Sequence, residues 1–156
     1  MAERSFKSVG ELNVDVRAAQ TRQPVPVGIV TPVVYSSKVG GPLEMSTSIV
    51  NQVIDNFRNM LLTNHGERVP LFDYGANLRQ LLTERLAIDD YESQAMLLIK
   101  ATTEKYMPYV NLDTFEVQTM QTDTKSLSKV KVLVKFSIPR LTTSSKLLEI
   151  ILTNIG

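Results

Sequence analysis

Cysteine is absent from the 156 residues. Disulfides, thiolate zinc sites, iron–sulfur clusters and cysteine nucleophiles are therefore excluded. Tryptophan is also missing, and aromatic residues make up only 6%, a poor basis for stacking single-stranded nucleic acid. A single histidine, His65, rules out a multi-histidine metal site within one chain. Charge of one sign is not in excess: 17 basic residues face 16 acidic ones, for a formal net charge of +1. Nucleic acid and membrane surfaces are not the expected partners, since their binders show a basic patch or stripe. No apolar run approaches the roughly 20 residues that span a bilayer. The opening Met1-Ala2-Glu3-Arg4-Ser5 lacks an apolar core, so no secretory signal is expected. What remains is ordinary for a globular domain, with 43% hydrophobic and 21% charged residues. Such a length allows roughly 68–70% of the unfolded surface to be buried.

Residues 1–44 read as an extended arm. They hold four of the seven prolines and four of the seven glycines. In the stretch Gln23-Pro24-Val25-Pro26-Val27-Gly28-Ile29-Val30-Thr31-Pro32 each proline fixes its own φ and pushes the preceding residue out of the helical region. Val25, Val27, Ile29, Val30, Val33 and Val34 call for burial, either in a groove of this chain or a neighbour, or as a terminal strand on the chain's own sheet. Gly40-Gly41-Pro42 punctuates the end of the arm.

The body, 45–156, changes period twice. Ser46 or Ser48 can cap a helix whose Ile49, Val53, Phe57, Met60 and Leu61 recur on one face. Asn64-His65-Gly66 is expected to end it with a left-handed residue. A shorter helix over about 76–84 carries Leu78, Leu81 and Leu82. A third, capped by Asp89 or Asp90, runs to about 105 with Ala95, Leu98, Ile99 and Thr102 inward, and Pro108 stops it. Strand periodicity follows, first over about 112–120. The alternation of Val130, Val132, Val134, Phe136 and Ile138 with Lys131, Leu133, Lys135 and Ser137 then predicts a strand with one face buried. The last strand, 146–155, is apolar on both faces: Leu148, Ile150 and Leu152 on one, Leu147, Ile151 and Ile155 on the other. A strand of that kind is expected to be covered on both sides, by helices of this chain or by another subunit. The fold class is α+β: three N-terminal helices packed on a C-terminal antiparallel β-sheet of about three to four strands, preceded by the extended arm.

Catalysis finds no support in these residues. Glu67, Asp73 and Glu84 are the candidate carboxylates, because they cluster around the second loop, and nothing in their spacing demands a general acid and base a few ångströms apart. Glu67 and Arg68 are expected to pair with nearby charges, Asp73 to cap the second helix, and Arg68 to pair with Asp73 or another acid. His65 stands beside no serine or carboxylate of a known motif and is expected to decorate a turn. No phosphate loop ends in Lys-Ser/Thr, and no calcium-loop spacing occurs. No cofactor is expected.

Residues 51–83 carry Leu61-Leu62-Thr63, Gly66-Glu67-Arg68, Phe72-Asp73-Tyr74-Gly75 and Leu78-Arg79-Gln80-Leu81-Leu82 in that order. This order resembles the signature of the small wedge protein of contractile-tail baseplates. That family includes the T4-type phage subunit that carries the old name of tail lysozyme, the P2-type subunit and the type VI secretion counterpart. The likeness extends from about residue 46 to the end. Gly28-Ile29-Val30-Thr31-Pro32 and Thr63-Asn64-His65-Gly66-Glu67-Arg68 look most like cyanophage relatives of T4. The resemblance implies a structural subunit, not an enzyme, at the place where the baseplate wedge meets tube and sheath. Its partners would be other wedge proteins, the tail sheath protein and the tail tube, with no nucleic acid and no membrane, in a virion assembled in host cytoplasm. It implies strand addition by sheath on Lys146, Leu147, Leu148, Ile150, Ile151 and Leu152. It implies fold-defining roles for Gly66, Glu67, Arg68, Asp73 and Gly75. Many family members carry Glu-Pro-Arg after the third helix, where they dock on the wedge core. Here Met107-Pro108-Tyr109 stands in its place, so docking there would be apolar and aromatic rather than ionic. Two other classes stay open: a murein hydrolase, after the old name, and a regulatory adaptor of the same fold.

Overall fold

A computed structural model describes residues 25–36, 42–83, 88–121 and 127–155. Glu84, Gly40, Gly41 and residues 1–24 of the arm lie outside the described residues. The chain runs β1 (Gly28–Ile29), β2 (Met45–Ser46), α1 (Ile49–Leu62), α2 (Leu78–Thr83), α3 (Ile88–Tyr106), β3 (Asn111–Gln121), β4 (Leu127–Ser137) and β5 (Lys146–Ile155). The class is α+β, as the periodicity predicts. The helices, however, stand mid-chain, between the short β1–β2 ladder and the sheet, rather than at the N-terminus.

β3, β4 and β5 form an antiparallel meander in the order β3-β4-β5. The alternation of β4 is realised in full: Val130, Val132, Val134, Phe136 and Ile138 are buried. The inner face of β5 adds Leu148, Ile150 and Leu152. α1 and α2 lie against β5, and α3 against β3. Phe57 of α1 meets Phe136 of β4 with ring centroids 4.7 Å apart, both rings fully buried. Such a pair adds about 0.5–1.5 kcal/mol beyond its area.

The helix ends differ in detail from the sequence expectation. Ser48 caps α1 by accepting from the Asn51 N–H. The buried stripe begins one turn late: Val53, Phe57, Met60 and Leu61 are buried, while Ile49 is 53% exposed. α1 is closed by an extended Thr63, not by a left-handed residue. The Thr63 N–H reaches the carbonyls of Asn59 and Met60, and its hydroxyl donates to Asn59 O at 2.6 Å. α2 starts at Leu78 rather than near 76, because Gly75 and Asn77 both take positive φ, which no right-handed helix accommodates. α3 buries Tyr91, Ala95, Ile99, Thr102 and Thr103, close to the inner side expected.

The described part of the arm does not join the main sheet. Gly28 and Ile29 pair with Ser46 and Met45 in a separate two-stranded ladder. Thr31 ties it to α1: its N–H donates to Asp55 Oδ2 at 3.3 Å, and its hydroxyl accepts from Asn59 Nδ2 at 3.2 Å. The burial its apolar residues call for is not met among the described residues. Val25, Val27, Ile29, Val33 and Val34 are all exposed, Val25 by 79%.

Candidate functional site

The outer edge of the sheet at β5 is the first surface of interest. β4 and β5 pair without a register shift from Leu127↔Ile155 to Phe136↔Lys146. Among the described residues β5 pairs with β4 alone. The opposite edge, β3, is guarded. Its register shifts between Leu112 and Thr114, and Asp113 at the shift accepts from Ser137 Oγ at 3.2 Å and Ser145 Oγ at 2.7 Å. Bulges and charge blunt an edge against further pairing. β5 has no such bulge.

The outer face of β5 is not covered by the described helices of this chain, one of the two covers expected for it. Leu148, Ile150 and Leu152 pack under the helices, but Leu147 is 68% and Ile151 53% exposed. The helices lie on one side of the sheet only, so the second apolar face finds no cover among the described residues. On that face Lys131 pairs with Glu149 at 2.9 Å. Ile151 stands opposite Lys131, and Leu147 opposite Lys135.

The loop between α1 and α2 holds the motif residues, and it is stapled. Asn64 donates to Glu67 through its backbone N–H (2.8 Å) and its side chain (2.7 Å). The Gly66 N–H donates to Phe72 O at 2.7 Å. The Gly75 carbonyl accepts from Thr102 Oγ1 at 3.2 Å and lies 3.1 Å from His65 Nε2. His65 thus ties the two ends of the loop, more than the turn decoration expected of it. Asp73 does not cap α2; it pairs with Lys105 at the end of α3. Arg68 pairs with no acid among the described residues. Its guanidinium lies 4.0 Å over the Tyr74 ring, and Tyr74 meets Tyr106 edge-on at 4.9 Å. Asp73 and Lys105 are 32 residues apart, so no local pattern could have announced their pairing.

These contacts oppose acid catalysis. Lys105, and then the Tyr106 hydroxyl, pull the Asp73 carboxyl down to about 2. Hydrogen bonds from the backbone and then the side chain of Asn64 lower Glu67. A general acid needs its pKa raised, the reverse of both. Among the described residues no three His, Cys, Asp or Glu side chains gather as a metal site. A groove of about 670 Å³ between α3 and β3 is floored by Ile99, Leu112, Phe115 and Val134, with Lys100, Glu104 and Asp113 also on its lining.

The Asp73–Lys105 pair makes a pH prediction. Asp73 has a depressed folded pKa, so its contribution is present above the ordinary value of 3.8 and is lost as pH falls toward about 2. Lys105 is raised above 10.5, so its share is present below that value and is lost as pH climbs through the folded pKa. Thermal melts between pH 2 and 5 should show a slope that Lys105→Met flattens. An unchanged slope would mean the ion pair does not form in solution.

Of the three residues that the resemblance puts forward for docking, Met107 is buried in the core at 4% exposure, whereas Pro108 is exposed and Tyr109 is 42% exposed. Met107 donates its N–H to Thr103 O and accepts from Val110 N–H, so it anchors the turn and leaves Pro108 and Tyr109 outside. Among the described residues no helix is long and apolar enough to cross a membrane.

No protein-family model matches the chain, and no curated protein matches its sequence. Solved structures do. A chain of the anti-feeding prophage baseplate aligns with a TM-score of 0.50 and 16% identity, over 81% of this chain and 82% of that one. A protein of Geobacter sulfurreducens described as a candidate tail lysozyme aligns with a TM-score of 0.52 and 16% identity, over 70% of this chain and 94% of that one. A chain of the type VI secretion baseplate complex aligns at 0.42 and 18% identity, over 67% and 93%, too loosely to carry weight. The three helices laid on one face of the β3-β4-β5 meander thus form a fold similar to that of an anti-feeding prophage baseplate protein and of the Geobacter protein.

Proposed function

We propose that this chain is a structural subunit of the baseplate of a contractile injection apparatus, located on the tail of a virion and assembled in host cytoplasm. The observation that carries this reading is the likeness to the anti-feeding prophage baseplate chain over four-fifths of both molecules. In the finer reading it is a wedge subunit, in which residues 1–44 form an arm and 45–156 the wedge domain. Its β5 accepts a strand from the tail sheath protein and so templates the first sheath ring. Pro108 and Tyr109 face other wedge proteins, and the tail tube is a neighbour. The unguarded β5 edge supports strand addition, since main-chain groups there offer affinity and alternating side chains offer register. Carboxyls held ionised at Glu67 and Asp73 speak against a murein hydrolase.

Removing residues 146–155 would strip Leu148, Ile150 and Leu152 from the core, so truncation is a poor test. Leu147→Glu with Ile151→Glu is a better one. The new carboxylates face Lys135 and Lys131 across the ladder, a favourable cross-strand arrangement. The double variant is expected to melt within a few degrees of the parent and to enter baseplates, yet to support no sheath. Electron microscopy of particles reads the result. Normal sheath on such baseplates would refute strand addition at β5.

A further inference from the structure

β5 is an edge without a further strand among the described residues, and its outer face leaves Leu147 and Ile151 in solvent. A long free edge pairs with whatever strand it meets, so proteins cover such edges. The chain itself carries a segment that fits. In Glu11-Leu12-Asn13-Val14-Asp15-Val16-Arg17 polar and apolar residues alternate strictly, without proline or glycine. That is the pattern of a strand with one apolar face. Leu12 and Val16 are four positions apart on that face, as Leu147 and Ile151 are on theirs.

Residues 11–17 lie outside the described residues, but the point where the described chain begins sets their reach. The Val27 N–H donates to Ser46 O just ahead of α1, and Thr31 is bonded to Asp55 and Asn59 of that helix. Phe57, between those two positions, meets Phe136, which stands opposite Lys146 at the start of β5. The arm is thus anchored one helix away from β5. Residues 18–24 span at most about 23–25 Å when extended. α1 has 14 residues, which makes it roughly 21 Å long and 10–12 Å wide, so this tether crosses it. Setting Val14 opposite Glu149 brings Leu12 and Val16 beside Leu147 and Ile151, whichever way the added strand runs. Such pairs on one face are what stabilise neighbouring strands. A slip by one residue would set them beside Leu148, Ile150 and Leu152, which are already buried, and leave Leu147 and Ile151 bare.

We propose that residues 11–17 pair with the free edge of β5 in their own chain, as a placeholder that an incoming strand displaces. The displacement rests on the reading of β5 as the acceptor of a sheath strand. In this register the segment covers 146–152 and leaves 153–155 open, so an invading strand gains a foothold before the placeholder leaves. Short flexible tethers hold a segment at an effective concentration on the order of millimolar. The edge is therefore covered in the unassembled protein, and Leu147 and Ile151 with it.

The chain has no cysteine, so an introduced pair reports a single contact. Val14→Cys with Glu149→Cys is the test pair, since neighbouring strands bring Cα atoms to about 4.5–5.5 Å, within disulfide range. Val14→Cys with Gln118→Cys is the control, because Gln118 is exposed and lies on β3, at the far edge of the sheet. Under mild oxidation the full-length test pair is expected to close within one molecule at least tenfold faster than the control. Closure no faster than the control, or only between molecules, would overturn the placeholder and leave strand addition at β5 intact. Hydrogen exchange reads the same pairing without cysteines. Leu12→Asp with Val16→Asp is expected to speed exchange of the β5 amides that point away from β4 at least tenfold, and unchanged exchange would likewise overturn the placeholder. Purified baseplates that carry the oxidised test pair are expected to recruit no sheath protein until reductant is added. Recruitment without reductant would overturn strand addition at β5 and the displacement with it, while the closed disulfide would still establish the pairing.

Discussion

Phe57→Ala is expected to lower the free energy of unfolding by about 3–5 kcal/mol, the range for removing a fully buried phenylalanine. Phe57 and Phe136 are both at 0% exposure, and their rings touch across the junction of α1 with the centre of the sheet. Met60 and Leu61, one turn on, are equally buried, so a cavity at Phe57 would be lined by side chains already held by their own contacts. Collapse into it would be incomplete, and the cavity cost would add to the lost transfer energy. Domains of this size have roughly 5–15 kcal/mol in total, so the variant should unfold at a much lower urea concentration with an unchanged slope. A loss below about 1 kcal/mol would mean that α1 does not seal the sheet in solution. Phe72→Ala is the natural comparison. That ring is 64% exposed, and its loss should move stability by no more than about 0.5 kcal/mol.

Gly75→Ala should be nearly as damaging, for a different reason. Gly75 has φ +108°, and a Cβ there would stand 2.2 Å from the Thr63 carbonyl oxygen and 2.8 Å from its carbon. Both neighbours are backbone and cannot swing away. Strained φ costs about 1–3 kcal/mol, and forced overpacking costs about 1–3 kcal/mol more. A loss of about 3–5 kcal/mol is expected. The damage should also spread, because the Gly75 carbonyl is the acceptor that joins the loop to Thr102 of α3. Gly66→Ala separates the two causes. Gly66 has φ +85° but open space around its missing Cβ, so it should cost only about 1–2 kcal/mol, the strain alone. Denaturation of the two variants side by side decides the matter, and equal losses would remove the close-approach argument for Gly75.

Glycine at 66 and 75 was visible as a motif, but the difference between them was not. Both read as turn punctuation. Only the approach of Thr63 across the closed loop makes one position intolerant and the other forgiving. The charges of the same loop show the same limit. Arg68 and Asp73 have opposite sign and lie five positions apart, which suggests a pair, yet Asp73 pairs with Lys105 and Arg68 stacks on Tyr74. The rings of Tyr74 and Tyr106 meet at the helix end, beside both the Arg68 stack and the Asp73–Lys105 pair. Met107 illustrates the converse. Beside a helix-ending proline it reads as loop, but the turn folds its side chain into the core.

Local pattern by itself determined the class of this protein. Period 3.6 over α1 and α3, followed by period 2 over β4 and β5, follows from the geometry of a single helix or strand and needs no partner. The absence of cysteine and the lone histidine excluded whole chemistries by composition alone. The two apolar faces of β5 were also written in the residues, but not what covers them. That was decided by tertiary structure: α1, α2 and α3 all lie on one side of the sheet, so Leu148, Ile150 and Leu152 are buried while Leu147 and Ile151 are left in solvent. Which edge has no further strand among the described residues was decided there as well. Asp113 becomes a guard of β3 only through a register shift and two serines distant in the chain. Periodicity is a property of one segment. Cover, register and the pairing of charges belong to segments brought together, and only the packed chain specifies them.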